Sequence, residues 1–203
     1  PVSHSELHET KLDDNTIEVL YLFSGVARKA SLSDLTKKLG CVHGYSIRVA
    51  EYDITNGEQQ DLLNDDTWHD IYKKIQAGFY QAIVVSPPCS TFSRATYRWK
   101  GGPRPLRSRR HFWGFPWVMG KRRSKVRAAN KLIQRSLQAC AAAADAGMFF
   151  LLEFPEDLSR RGAHFPASLW QLPALRTMAN KAGAQRLAIY QKWFGAPYLK
   201  PTG

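Results

Sequence analysis

Cysteine is scarce in this 203-residue chain: Cys41, Cys89 and Cys140 are an odd number at no metal-ligand spacing, and none of the six histidines joins them in a zinc-like pattern. That excludes a disulfide framework and leads us to expect reduced thiols and no structural metal. Long apolar runs are lacking too. Runs such as residues 148–152 are far too short to span a bilayer, so no membrane partner is expected. The opening PVSHSELHETKLDD is polar and acidic where an export signal needs a basic end and an apolar stretch. Residues 1–15 therefore read as a polar segment ahead of one domain, 16–203, and Pro1 reads as the cut end of a longer chain. No internal repeat is present.

Acidic residues are missing from one place in particular. Residues 94–127 hold twelve of the 29 Lys and Arg residues and no Asp or Glu, which leaves 17 basic against 17 acidic residues elsewhere. The whole net charge of +12 thus sits in one segment. That segment interleaves Tyr97, Trp99, Phe112, Trp113, Phe115 and Trp117 with the cations, and its Gly-Gly-Pro and Arg-Pro punctuation predicts a loop. Like charges repel one another, whereas a polyanion would neutralise them and the rings could stack on bases. Nucleic acid is the expected partner, with Ser90, Arg94, Arg98, Trp99, Arg107, Arg109, Arg110, Arg122 and Arg123 as candidate contacts. The plain alternative is a solubilising basic loop. Its Gly, Pro and charge content also predicts a segment with little to pack against.

The remainder alternates strand and helix patterns. Strands are expected at 16–23, 45–53, 80–86, 148–154 and 184–195, and helices at 28–40, 67–78 and 124–147, with another over 167–183 interrupted near Pro173. Alternation of this kind implies right-handed crossovers and an α/β fold, a mainly parallel sheet with helices on both faces. Ligands of such sheets bind at the carboxyl ends of the strands. Here those ends carry Phe23-Ser24-Gly25, Glu51-Tyr52-Asp53, Pro87-Pro88-Cys89, Glu153-Phe154-Pro155 and Phe194-Gly195-Ala196-Pro197.

In these residues the chain resembles the cytosine carbon-5 methyltransferases that use S-adenosylmethionine. LYLFSG is similar to their Phe-Ser-Gly loop, VAEYD to the motif whose Glu takes the ribose hydroxyls, and QDLL to the Asp-Leu at the adenine. SPPCSTFS has the spacing of the catalytic Pro-Cys motif, LLEFPEDL places a Glu where the family has Glu-Asn-Val, and WFGAPYLKPTG resembles the stretch that ends in paired arginines. Phe154 stands at the Asn position, and Lys200 and Thr202 at the two Arg positions. The resemblance runs from about residue 17 to the end.

What the resemblance implies is a Rossmann-like methyltransferase domain with S-adenosyl-L-methionine held by Phe23, Ser24, Gly25, Glu51, Tyr52, Asp61, Leu62 and Pro87. Cys89 is the implied nucleophile, with Glu153 and Lys200 as further catalytic residues. A thiolate added at carbon 6 of cytosine makes carbon 5 nucleophilic, and Glu153, kept near its protonated form, would hydrogen-bond ring nitrogen 3. The cationic loop near Cys89 would favour its thiolate. A base in a duplex is unreachable, so it must be flipped out or already single-stranded. DNA is the expected substrate ahead of RNA, with a separate recognition domain or chain as a further partner, inside the cell: the nucleus of a eukaryote, or the cytoplasm of a bacterium or phage host. A catalytically silent nucleic-acid binder is the other reading. Structural readings stand beside each residue: Cys89 as a packing thiol, Glu51 as a surface partner, Asp61 as a turn cap.

Overall fold

The computed structural model describes residues 15–26, 31–97, 103–157, 166–195, 197 and 200–203. Four strands, β1 (Thr16–Leu22), β2 (Ser46–Tyr52), β3 (Ala82–Val85) and β4 (Phe149–Leu152), form a wholly parallel sheet in the order β2-β1-β3-β4. Parallel pairing demands crossovers, and α1 (Leu32–Val42), α2 (Asp65–Gln76) and α3 (Gly120–Asp145) supply them. The register pairs Leu20 with Ile83 and Leu22 with Val85, then Ile83 with Phe150 and Val85 with Leu152. One face of the sheet is therefore a continuous apolar layer. It is buried with Ile71 and Ile75 of α2 and Ile133, Ala139, Cys140 and Ala143 of α3 in one core. On the opposite face α1 lies over β2, where Gly40 sits against Ile47 and the Ser33 hydroxyl donates to Glu51.

Local chemistry sets the helix ends. Ser31 caps α1 in a capping box with Asp34, accepting the Asp34 amide at 3.1 Å while the Asp34 carboxylate accepts the Ser31 amide at 3.4 Å. Asn64 caps α2 by accepting the amides of Asp66 and Thr67. The fourth helix, α4 (Pro173–Lys181), begins at Pro173 after a short 3-10 turn over Leu169–Gln171. Proline thus starts this helix instead of interrupting it, because its missing N–H costs nothing in a first turn.

Two expectations about the chain's later part are corrected. Residues 184–195 do not form a strand of the main sheet: only β5 (Ile189–Tyr190) is extended, it pairs antiparallel with β6 (Pro201–Thr202), and Gln191–Phe194 turns as a 3-10 helix closed by left-handed Gly195. The ladder that residues 201–202 offer to Ile189 and Tyr190 holds this segment beside residues 154–156 and off the main sheet. The second correction concerns the basic segment, whose end is helix from Gly120 onward. Val126, Ala129 and Ile133 are buried at helical spacing there, and no breaker follows Gly120. No helix among the described residues is long and apolar enough to cross a membrane.

Candidate functional site

The order β2-β1-β3-β4 means that the chain leaves β1 for one side and returns to the other, so the sheet has its switch point between the carboxyl ends of β1 and β3. After β1 the backbone turns sharply. Phe23 holds a left-handed φ of 65°, which costs a side-chain-bearing residue on the order of 1 kcal/mol and is found where neighbours fix the loop. They do so here through the Phe23 amide, which donates to Tyr52 O at 2.7 Å, and the Gly25 amide, which donates to Asp53 at 2.9 Å. Asn56 closes the arrangement by donating to Gly25 O at 3.1 Å. Burial alone would raise the Asp53 pKa, but the Thr55 hydroxyl and amide and the Gly25 amide outweigh it and hold the carboxyl below its ordinary value.

Of the residues expected around a cofactor, Phe23, Ser24, Gly25, Glu51 and Tyr52 thus gather at the ends of β1 and β2. Glu51 accepts a hydrogen bond from Ser33 on α1 through Oε1. Asp61 caps the following turn by accepting the Leu63 amide at 2.8 Å. Leu62 is only 3% exposed and packs in the core, on a turn that Arg135 of α3 holds by donating to the carbonyls of Leu62 and Asn64. Pro87 is buried at the end of β3.

Cys89 follows β3 across Ser86-Pro87-Pro88, with the Ser86 amide tied to Leu22 O at 3.2 Å, and it opens the 3-10 turn Ser90–Phe92. Glu153 follows β4, its amide donating to Val85 O at 2.9 Å, which keeps the two strand ends level. Lys200 arrives from far along the chain. The last residues run antiparallel to 154–156, where Phe154 and Gly203 exchange two 3.0 Å backbone bonds and the Glu156 amide donates to Pro201 O. This brings Lys200 Nζ to 3.5 Å from Glu153 Oε1. The half-buried thiol of Cys89 senses both charges. Burial pushes its pKa up, Lys200 opposes the rise and Glu153 adds to it. Among the described residues burial leads and Lys200 is the cation that acts on the thiol; Arg98, Lys100 and the side chain of Arg94, the part of the cationic loop expected to favour its thiolate, lie outside the described residues.

Behind Cys89 lies an aromatic joint. Phe92 meets Phe154 edge-on at 5.2 Å and Phe112 at 5.4 Å, so the cysteine turn, the residue after Glu153 and the basic loop share one contact. Arg107 completes it. Expected at the surface against phosphate, Arg107 is instead 1% exposed, its guanidinium 4.0 Å from the Phe92 ring centre, donating to Phe112 O at 2.9 Å and Asn130 Oδ1 at 2.8 Å. No carboxylate among the described residues compensates it, and burial brings its pKa down to about 10. Gly114, at φ 114°, lets the loop pass where a Cβ would stand 2.7 Å from Val126 of α3. Residues 103–118 are therefore packed around a buried cation, contrary to the expectation that they lack a core.

Of the other basic candidates, Arg109, Arg110, Arg122 and Arg123 are exposed, as is Ser90. Arg98 and Trp99 lie outside the described residues, as does the side chain of Arg94. Sequence reasoning missed Ser33, Asp53, Asn56 and Arg135, which hold the strand-end loops. Asp53, directly after β2, carried the one available signal, because Asp after a strand is a frequent turn former. A cleft of about 970 Å³ opens beside β4 and α4, reaching Glu153, Thr202 and Gly203 but none of the expected cofactor residues. Among the described residues no cluster of His, Cys, Asp and Glu has the makings of a metal site. No family model, curated protein or solved structure matches the chain.

Proposed function

We propose that this chain is a Rossmann-like, S-adenosylmethionine-dependent methyltransferase acting on carbon 5 of cytosine in nucleic acid, DNA ahead of RNA, through a covalent Cys89 adduct. The observation that carries the reading is the meeting of Cys89, Glu153 and Lys200 at the carboxyl ends of adjacent strands, beside the β1–β3 switch point. A nucleophile and a group able to hydrogen-bond the ring must approach one base together, and these three come from segments up to 111 residues apart.

The cofactor, when bound, supplies an electrophilic methyl group; the protein aims it. Among the described residues Ser33 engages Glu51 through Oε1, which leaves Oε2 for a hydroxyl, and the Phe23-Ser24-Gly25 turn is held by Asp53 and Asn56. Cys89 adds to carbon 6 as the thiolate. Its raised pKa means that the proton must leave first, and Lys200 is the charge that eases this step. Glu153 is placed to donate to or accept from the ring edge, with Lys200 holding its orientation. After methyl transfer, loss of the carbon 5 proton restores the double bond and expels Cys89.

Transfer of labelled methyl groups from S-adenosylmethionine to DNA and RNA tests the reading. Activity that Cys89→Ser abolishes supports it. A protein that binds cofactor and nucleic acid yet transfers nothing is a silent binder, a reading favoured by the upward pKa shift that burial gives the half-buried Cys89 thiol.

A further inference from the structure

The basic loop and the start of α3 carry a surface that the catalytic reading does not use. Phe115 and Trp117 stack 4.4 Å apart with their planes 14° from parallel, and His111 packs against both at 5.4 and 5.9 Å. Trp117 is 65% exposed, so the stack leaves much of an indole open to solvent. Large aromatic surfaces are seldom left bare without a partner.

Beside the stack, Lys121, Arg122, Arg123, Lys125 and Arg127 occupy the first two turns of α3, all of them exposed. This is the end of a helix where cations are unfavourable, and the first turn holds no acidic residue and no side-chain cap. Elsewhere Arg48, Lys131, Arg135, Lys181, Arg186 and Lys200 each meet a carboxylate, whereas none of these five does among the described residues. Five unpaired cations at the wrong end of a helix lower stability unless an outside anion approaches them. The patch is also preformed, because Arg107 and Gly114 dock the loop on α3.

We propose that this surface binds single-stranded nucleic acid: an unpaired base extends the Phe115–Trp117 stack while the α3 cations hold the adjoining phosphates. Duplex bases show only their edges and cannot stack on an indole, so the surface selects unpaired nucleotides. An acidic peptide would satisfy the cations but leave the rings unused. The inference deepens the proposed function by naming its substrate class as single-stranded, or locally opened, nucleic acid.

Fluorescence anisotropy of labelled oligothymidylate on the full chain, without cofactor, tests it. The probe contains no cytosine, so the outcome is independent of whether methyl transfer occurs. Single strand should bind roughly tenfold or more tighter than a duplex of equal length, and Trp117→Ala should cost on the order of tenfold while Trp117→Phe costs little. Arg122→Ala and Arg123→Ala should each lower the salt slope by about 0.7. Equal or tighter binding of duplex, or of polyglutamate, overturns the proposal. So does unchanged affinity in a folded Trp117→Ala protein, with circular dichroism confirming the fold.

Discussion

The guanidinium of Arg107 lies 4.0 Å from the ring centre of Phe92, inside the protein, joining the basic loop to the turn that carries Cys89. A cation in the most basic segment of the chain is thus a structural member. Among the described residues its Nε and Nη2 have no hydrogen-bond partner, so its worth rests on two bonds, to Phe112 O and Asn130, and on the stacking. Arg107→Ala should destabilise the fold by about 3 kcal/mol, through a cavity and two stranded acceptors. Arg107→Met, which keeps volume and removes a desolvated charge, should cost less, about 1–2 kcal/mol. Urea unfolding reads both values, and the salt slope for nucleic acid should stay that of the parent protein.

The exposed cations should behave in the opposite way. Arg110→Gln, Arg122→Gln and Arg123→Gln should leave unfolding within about 0.5 kcal/mol of the parent. Together they should flatten the salt dependence of binding by two to three units, at about 0.7–0.9 per lost phosphate contact.

Cys89 reactivity should follow its surroundings with pH. A thiol whose pKa is raised above the usual 9.0 is protonated at neutral pH, so alkylation by iodoacetamide should be slow near pH 7 and accelerate as pH rises beyond that value. Lys200→Met should move the profile to higher pH, since the cation lowers the pKa. Glu153→Gln should move it to lower pH, since the carboxylate raises it. Peptide mass spectrometry separates Cys89 from exposed Cys41 and buried Cys140.

An oligonucleotide with fluorine at carbon 5 of cytosine should trap the adduct. Fluorine cannot leave as a proton does, so a cofactor-dependent band should persist on denaturing gels with the parent protein and Cys140→Ser, and be absent with Cys89→Ser. Glu153→Gln should slow trapping by about 100-fold or more while altering cofactor affinity little, because its hydrogen bond matters mainly in the transition state.

Cofactor binding should depend on both Glu51 and the residues that fix its neighbours. Calorimetry with S-adenosylmethionine should show about 1–3 kcal/mol lost in Glu51→Ala, where two hydroxyl donors lose their acceptor. Asp53→Ala should weaken binding indirectly by freeing the Gly25 amide. The Asp53 carboxyl is held below 3.8, so its grip on that amide is complete above this pH and is lost as pH falls through the depressed value.

The sequence by itself determined the alternation of strands and helices, the polar strand ends, and the position of Cys89 and Glu153 just past two strands. These follow from local periodicity and from proline and glycine placed at fixed points along the chain, and such signals need no knowledge of distant contacts. Only the tertiary structure decided which cations are inside. Arg107 reads like its neighbours Arg109 and Arg110, yet it is buried because Phe92, Phe112 and Asn130, from three separate stretches, supply a ring and two acceptors around it. Arg135 is buried for the same kind of reason, with acceptors offered by Leu62, Asn64 and Asp65 some seventy residues earlier. Lys200 meets Glu153 because residues 201–203 pair with 154–156, a register set by backbone hydrogen bonds between distant segments, which no local pattern encodes.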